Sequence, residues 1–273
     1  ISVFDDTKLK TFCCDTGNSY NNGKLLAQNL LEDNTKLIIT FTDGAYTNGE
    51  EFLNGISSVN SDVIICGGMA GDNASFQQTF ISSQNKILTK GSVGVSLNSN
   101  ILKACNAYNF NWSPIGVDHI IESAKGNRVY KISGLSPVDF YEKYLGEYVA
   151  KSLPATGIEF PLIVQKNNLN LARAVIAKHE DGSLSFAGNL NEGDTVKLGF
   201  GNMELIMSNP LKSLFDDCTV GNSESFFIYA CMARRRYMPS LMDMEIKPFS
   251  KIAPTTGIFT YGDVFYKNNK NIK

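Results

Sequence analysis

Apolar and polar positions follow two different periods in the first third of the chain. Residues 19–32 carry leucines at helical spacing, which predicts an amphipathic helix. The runs 37–41 and 63–66 are short and apolar and are typical of buried strands. Asn48 followed three residues later by Glu51 is a helix-capping signature, so a second helix is predicted to begin there.

From residue 80 onward the pattern favours strands that follow one another closely. Apolar runs joined by short polar or glycine-containing turns predict strands at 80–88, 92–97 and 102–110. Two further runs, 119–123 and 128–132, are separated by a four-residue turn that fits an antiparallel hairpin.

The second half of the chain opens with a helix and then returns to strands. Ser136, followed by a proline, begins the helix in the expected way. Several strands are predicted between residues 162 and 200, and a short helix at 209–215. The most apolar strand is predicted at 225–233, and 257–266 is predicted to close the chain as one strand.

The order of these elements decides the fold class. Helices and strands are mixed, many strands are sequence neighbours, and strict β-α-β alternation is absent. The prediction is an α+β fold of mixed, largely antiparallel sheets packed with helices in a sandwich-like way. With 273 residues and 43% hydrophobic content, the chain can bury a sizeable core in two associated subdomains, predicted as residues 1–150 and 151–273.

Charge and hydropathy exclude two classes of function. A formal net charge of −2 argues against nucleic-acid binding, which needs a clustered excess of Lys and Arg. No apolar run approaches the roughly 18 residues of a membrane helix, so no membrane segment is predicted in this chain. The chain begins with Ile rather than Met, which indicates a piece of a longer polypeptide.

The six cysteines show no metal-ligand spacing, and no metal site is predicted. Cys66 and Cys231 lie inside apolar runs, where a free cysteine behaves as a small hydrophobic residue. We therefore expect free thiols, no disulfides and a reducing compartment, the cytoplasm.

A glycine-rich segment after the second buried strand is the sharpest candidate for a binding site. We call residues 67–72 the glycine corner, Gly67-Gly68-Met69-Ala70-Gly71-Asp72. Its glycines allow the backbone to approach a ligand closely, and successive N–H groups could hold an anion. A tight strand exit packed under the next hairpin explains the same residues equally well. Walker and Rossmann spacings are absent, so nucleotide binding has little support.

The strand predicted at 225–233 leads to the second candidate, Cys231 and Arg234. A guanidinium in a central strand needs a partner, and its fork suits a carboxylate. That carboxylate belongs either to a ligand or to an internal acid such as Asp72, Asp263 or another. Cys231 is interpreted as packing rather than as a nucleophile, and no catalytic residue is assigned.

Tyr261 and Gly262 in the last predicted strand are added to the candidate ligand-binding residues. A glycine within a strand marks close approach of a ligand or of another backbone. His119 and His179 are the two histidines, and either could be an axial ligand if the protein held haem.

Several segments, in this order, resemble the FIST family of sensory domains. They are residues 67–72, 91–95, 112–116, 126–130 and 141–146 in the N-terminal part, and residues 161–162, 183–186, 192–193, 230–234 and 257–263 in the C-terminal part. One departure is Asp263, where the family more often carries Glu.

The resemblance implies a bacterial, intracellular, small-ligand-binding sensory input domain without catalytic apparatus. Similar domains are attached to output domains such as histidine kinases, chemoreceptors or diguanylate cyclases. The implied ligands are amino acids or other small anionic molecules, and the implied alternative is a haem-binding nitric-oxide sensor.

Overall fold

The computed structural model describes residues 4–73, 75, 77–84, 86–110, 112–166, 169–204, 211, 214, 218 and 223–266. The chain forms two compact units, each of which is described by itself. Unit 1 comprises Ile1–Tyr108, Leu211–Arg235 and Ser240–Lys273, and unit 2 comprises Asn109–Pro210 and Arg236–Pro239. This is a division in space, and the sequence boundary between residues 150 and 151 stays a prediction.

Sixteen strands are found in the described part of the chain. They are β1 (Lys8–Cys14), β2 (Thr35–Thr42), β3 (Ile64–Met69), β4 (Ile81–Ser83), β5 (Lys86–Leu88), β6 (Ser92–Asn98), β7 (Trp112–Lys125), β8 (Arg128–Ile132), β9 (Leu162–Lys166), β10 (Leu169–Arg173), β11 (Val175–Lys178), β12 (Leu184–Phe186), β13 (Thr195–Gly201), β14 (Phe226–Cys231), β15 (Thr255–Thr260) and β16 (Gly262–Tyr266). The helices that lie wholly within the described residues are α1 (Ser19–Leu30), α2 (Gly49–Ser57), α3 (Pro137–Leu145), α4 (Glu147–Lys151), α5 (Met232–Tyr237) and α6 (Met242–Ser250), and a 3₁₀ turn spans Ala155–Ile158.

The main sheet of unit 1 has five strands in the order β1-β6-β2-β3-β16. Strands β2 and β3 are parallel and are connected through α2, whereas β1, β6 and β16 pair antiparallel to their neighbours. Two smaller pairs accompany this sheet, the antiparallel β4-β5 hairpin and the parallel pair β14-β15. The α+β prediction with mixed, largely antiparallel sheets is confirmed.

One face of the five-stranded sheet carries the core of unit 1. Along β2, buried positions alternate with half-buried ones, because successive side chains point to opposite faces. The buried face packs under α1 and α2, and its core consists of Leu26, Ala27, Leu30, Ile38, Phe52, Ile56, Val63, Ile65 and Val264. The opposite face is therefore only partly covered.

Unit 2 contains a seven-stranded sheet in the order β10-β9-β13-β7-β8-β12-β11. Ser136 caps α3 by accepting a hydrogen bond from the Asp139 N–H, as the sequence predicts. Phe140 and Tyr141 of this helix are fully buried, and the Tyr141 hydroxyl donates to the Phe160 carbonyl at 2.7 Å. Helix and sheet thus share one core.

Local signals in the sequence locate many of these elements correctly. The predicted helix at 19–32 is α1, and the Asn48 side chain accepts from two N–H groups at the start of α2. The 119–132 hairpin is β7 and β8. The prediction at 209–215 lies mostly outside the described residues.

Four strand predictions are wrong in detail. The run 80–88 is not one strand but the two strands of the β4-β5 hairpin. Residues 102–110 form no strand, and Asn106 in this segment donates its side-chain amide to the Ile65 and Tyr266 carbonyls. The run 225–233 ends as a strand at Cys231, where the chain turns into α5. The last strand is two strands, β15 and β16, which join different sheets.

The expectation of free thiols throughout is also wrong. A disulfide joins Cys105 and Cys218, whose Cα atoms are 5.9 Å apart, within the range that disulfide geometry allows. Spacing along the chain could not reveal it, since 113 residues separate the two cysteines. Among the described residues, no helix combines the length and apolarity that a membrane crossing requires.

Candidate functional site

The first half of the glycine corner is part of a strand. Gly67, Gly68 and Met69 end β3 and pair with β16. A Cβ on Gly67 would lie 1.7 Å from the Thr40 carbonyl oxygen, and one on Gly68 would lie 2.3 Å from Thr260 Cγ2. Both glycines are therefore required because other parts of the chain pass so close.

The second half of the corner is a loop fastened by Tyr261. The Ala70 N–H donates to the Thr42 carbonyl at 2.8 Å, so that amide is already used within the protein. The Tyr261 ring lies against Gly71, and a Cβ added to Gly71 would lie 3.1 Å from the ring. The Tyr261 hydroxyl donates to Asp72, whose other carboxylate oxygen accepts from two N–H groups of the following loop.

Arg234 lies in α5 and not in the predicted strand. Its guanidinium donates to Glu245 of α6, and both side chains are largely buried, with 12% and 13% of their surface exposed. Of the two partners expected from the sequence, an internal acid is the one the structure shows. Arg234 also interacts electrostatically with Asp263 at the start of β16.

Asp263 is exposed to solvent, and its carboxyl also feels the surrounding protein. Its residue surface is exposed, yet burial raises the pKa of its carboxyl, against the effects of a Thr260 hydrogen bond and of Arg234. Burial also raises the pKa of the Cys231 thiol to about 12, and the nearby Asp263 charge adds to this.

Strand β14 lies against the half-buried face of the five-stranded sheet. The Tyr229 ring is 6.1 Å from the Phe41 ring, centroid to centroid, and Tyr229 interacts electrostatically with Cys66. Phe227, two residues before Tyr229 on the same face of β14, is 46% exposed. We use the name β14 cleft for the place where β14 meets this face of the sheet, and its residues are Phe41, Cys66, Gly68, Tyr229, Cys231, Asp263 and Phe265.

The structure divides the residues that the sequence singled out. Gly68, Cys231 and Arg234 lie at or beside the β14 cleft. Gly262 pairs with Met69 in the sheet, while Tyr261 and Asp72 hold the loop beyond it. Ala70 and Gly71 belong to that loop. The glycine corner and the arginine segment, far apart in sequence, thus converge in unit 1.

Sequence reasoning missed several residues at the cleft. Tyr229 and Phe41 gave no signal beyond aromatic content in an apolar run. Glu245 was also missed as the partner of Arg234. It lies 11 residues further along the chain, on the next helix. Asn106 is buried next to Cys66. A polar amide inside an apolar run is the signal that could have pointed to it.

An open depression of about 500 Å³ lies at the opposite end of the parallel strands. It is lined by Leu31, Glu32, Asp33, Thr35, Val59, Asn60, Asp62 and Val63. These residues surround the amino ends of β2 and β3, whereas the glycine corner follows the carboxyl end of β3.

The two histidines lie in unit 2 and do not fit an axial haem ligand. The buried His119 ring packs 4.7 Å from the Phe140 ring and 4.8 Å from the Tyr144 ring, centroid to centroid, and burial lowers its pKa. His179 Nε2 is 2.8 Å from the Ser185 hydroxyl on the neighbouring strand. Among the described residues, no group of three or more His, Cys, Asp or Glu side chains could hold a metal ion.

Comparison with protein families matches almost the whole chain. The FIST N domain model matches residues 1–135, and the FIST C domain model matches residues 137–266. Neither the curated proteins nor the solved structures gave a match. FIST domains are sensory domains of signal-transduction proteins. The chain therefore belongs to the FIST family, and it contains the N and C domains of that family side by side.

Proposed function

We propose that this chain is a sensory input module that binds a small zwitterionic molecule, such as an amino acid, in the β14 cleft. One observation carries the proposal. A positive and a negative side chain, Arg234 and Asp263, interact electrostatically at one end of the β14 cleft, whose other residues are largely apolar and aromatic. Ligand pockets typically combine apolar walls with a few convergent polar groups.

The balance of charge favours a zwitterion over a simple anion. Arg234 is the one cation in this cluster of described residues, while Glu245 and Asp263 are two acids. An anion would meet a local charge of zero or below. A zwitterion can place its ammonium group near Asp263 and its carboxylate towards Arg234, so both of its charges are matched.

The position of the cleft offers a route from binding to signalling. Strand β14 forms one wall and continues directly into α5, which carries Arg234. A ligand that draws β14 towards the sheet would bind one arrangement of this wall better than another. Signalling requires that difference in affinity between two conformations.

The proposal extends to the context of the domain. The chain would act without catalysis in the bacterial cytoplasm and pass its signal to an output domain such as a histidine kinase, a chemoreceptor or a diguanylate cyclase. The raised pKa of Cys231 supports a non-catalytic role, because a nucleophilic cysteine needs an accessible thiolate. Disulfides persist mainly in oxidising compartments, so the redox state of the Cys105–Cys218 pair in the cell tests the cytoplasmic part of the proposal.

A thermal-shift screen of the purified chain tests the binding function. Amino acids, small organic acids and haem are added separately, and amino acids are expected to raise the melting temperature most. A ligand at about 100 times its Kd stabilises the folded state by about 2.7 kcal/mol. If added haem binds and gives a Soret band that is lost on changing His119 or His179, the haem alternative replaces the proposal.

Variants then locate the binding site. Asp263→Asn removes one charge of the cleft and should abolish most of the ligand-induced shift. Arg234→Ala is unsuitable by itself, because it leaves Glu245 buried and unpaired. The double variant Arg234→Gln with Glu245→Gln keeps a hydrogen bond and removes both charges.

A matched control removes an ion pair from unit 2. Arg128 and Asp181 form such a pair with a 2.8 Å contact, and Arg128→Gln with Asp181→Asn should leave ligand binding unchanged. Equal loss of binding in the control and in the cleft variants would place the ligand elsewhere.

A further inference from the structure

Strands β14 and β15 form a two-stranded parallel sheet that, within the described part of the chain, shares no ladder with the five-stranded sheet. We call this pair the β14-β15 ribbon. Phe226 lies beside Thr255 at its amino end, and Cys231 lies beside Thr260 at its carboxyl end. An isolated pair of strands is marginally stable at best in water. The ribbon therefore depends on what fastens each of its ends to the rest of unit 1.

The carboxyl end of the ribbon is fastened through Tyr261. This single residue connects the end of β15 to the start of β16, and its N–H donates to the Met69 carbonyl of β3 at 2.9 Å. The chain thus leaves the ribbon and enters the five-stranded sheet at one point. A connection of a few residues at the end of an element is where hinges in proteins are found, so this end can act as a hinge.

The amino end of the ribbon is tethered by the Cys105–Cys218 disulfide. Cys218 lies eight residues before the start of β14. Its partner Cys105 precedes Asn106, whose side-chain amide donates to the Tyr266 carbonyl at 2.9 Å. Tyr266 ends β16, at the far end of this strand from Tyr261. The disulfide therefore ties the chain that enters the ribbon to the sheet at the end away from the hinge.

The exposure of the disulfide makes it accessible to exchange. Cys105 is exposed and Cys218 is half-buried. Exchange begins when a thiolate attacks a disulfide sulfur, so the rate depends on access to that sulfur. Exposed disulfides are the labile and regulatory ones, and in reducing compartments disulfides are usually transient and serve catalysis or redox sensing. The greater exposure of Cys105 favours attack at its sulfur.

We infer that Cys105 and Cys218 form a thiol–disulfide exchange site for a low-molecular-weight thiol such as glutathione, and that their bond tethers the β14-β15 ribbon to the sheet. A glutathione thiolate attacks Cys105 Sγ, the Cys105–Cys218 bond breaks, and Cys218 leaves as a thiolate that takes a proton from water. A second glutathione thiolate attacks the glutathione sulfur of the mixed disulfide and releases oxidised glutathione and the Cys105 thiolate, which is then protonated. Two electrons and two protons thus pass from two glutathione molecules to the protein.

Reduction removes the tether and leaves the hinge in place. The amino end of the ribbon can then move away from the sheet, while β15 and β16 stay joined at Tyr261. The Phe41 and Tyr229 rings, whose centroids are 6.1 Å apart in the tethered form, are separated by this movement. The domain thereby responds to the thiol redox state of its surroundings as well as to a ligand.

Redox titration of the native full chain tests the exchange site. The protein is equilibrated with increasing ratios of reduced to oxidised glutathione, and its thiols are then alkylated and located by mass spectrometry. The pair should pass from bonded to reduced without denaturant, and the mixed disulfide should be found on Cys105. A pair that stays bonded in reduced glutathione until urea unfolds the protein is a structural cross-link. That result, or a mixed disulfide on Cys218 instead, overturns the exchange site.

Hydrogen exchange of the same samples tests the tether. Amides of β14 should exchange about tenfold or more faster in the reduced protein than in the oxidised protein, because the ribbon opens locally. The β7-β8 hairpin of unit 2 is the internal control and should exchange at the same rate in both. Unchanged exchange in β14 overturns the tether. Equal acceleration in the hairpin shows a global loss of stability and also overturns it.

Two single variants separate the tether from other effects of a reductant. Cys218→Ser leaves Cys105 without its partner, so β14 should exchange at the rate of the reduced protein in either buffer. Cys13→Ser changes a half-buried free thiol of β1 and should keep the full redox response. A redox response that persists in Cys218→Ser belongs to another thiol and overturns the tether. No ligand enters these measurements, so their outcome is independent of amino-acid binding in the β14 cleft.

Discussion

The disulfide between Cys105 and Cys218 gives the largest predicted effect on stability. It closes a loop with a sequence separation of 113. The chain-entropy relation gives a loss of about 16 cal/mol/K in the unfolded state for this loop, or about 4.8 kcal/mol at 25 °C. This value applies when the whole loop unfolds, and it is a large fraction of the 5–15 kcal/mol by which folded proteins are usually stable.

The disulfide also holds the inner wall of the candidate site. Asn106 follows Cys105 directly and connects β3 to β16 through its amide. Breaking the cross-link frees the segment that carries this amide. We therefore expect weaker ligand binding as well as lower stability in the reduced protein.

Urea unfolding followed by tryptophan fluorescence and circular dichroism measures the effect. The oxidised protein is compared with the reduced protein and with the double variant Cys105→Ser and Cys218→Ser. Both should unfold at clearly lower urea concentration, by several kcal/mol in free energy. Cys13→Ser, at a half-buried free thiol, is the control and should change little.

Alkylation of the unfolded protein without reductant, followed by mass spectrometry, checks the bond itself. Four cysteines should be modified, Cys13, Cys14, Cys66 and Cys231. Six modified cysteines in protein from the native compartment, with unchanged stability on reduction, would refute the cross-link and restore the expectation of free thiols.

Three other effects follow from individual contacts. Gly68→Ala should destabilise the protein by about 1–3 kcal/mol in urea unfolding, because the new methyl group meets Thr260, and Thr260→Ser should recover part of the loss. Cys231 should react with iodoacetamide at pH 8 far more slowly in the native protein than in urea. Raising the pKa of its thiol from 9.0 to about 12 reduces the thiolate fraction about 1000-fold. Equal rates in the two conditions would contradict its burial. By NMR, the His119 imidazole should titrate below its usual pKa of 6.5. Because the unfolded state then binds the proton more readily, His119 contributes stability above pH 6.5 that is lost as the pH falls below it. A titration midpoint above 6.5 would contradict this.

Elements that depend on near neighbours in the chain were predictable. The cap at Asn48 and the start of α3 at Ser136 involve residues within three positions of one another. The resemblance to the FIST family was also evident from ordered motifs, and the family models confirm it. Fold class, family and the location of the glycine corner therefore came from the sequence by itself.

Contacts between distant residues were decided only by the tertiary structure. Tyr261 reaches Asp72 across 189 positions, and Asn106 reaches Tyr266 across 160. The partner of Arg234 became clear only once the strand was seen to end at Cys231 and α5 to begin. Hydrophobic periodicity reports which face of an element is buried, but it does not say which elements meet there, because many pairings bury the same apolar surface. The contact between β14 and the five-stranded sheet arises from that choice of partners.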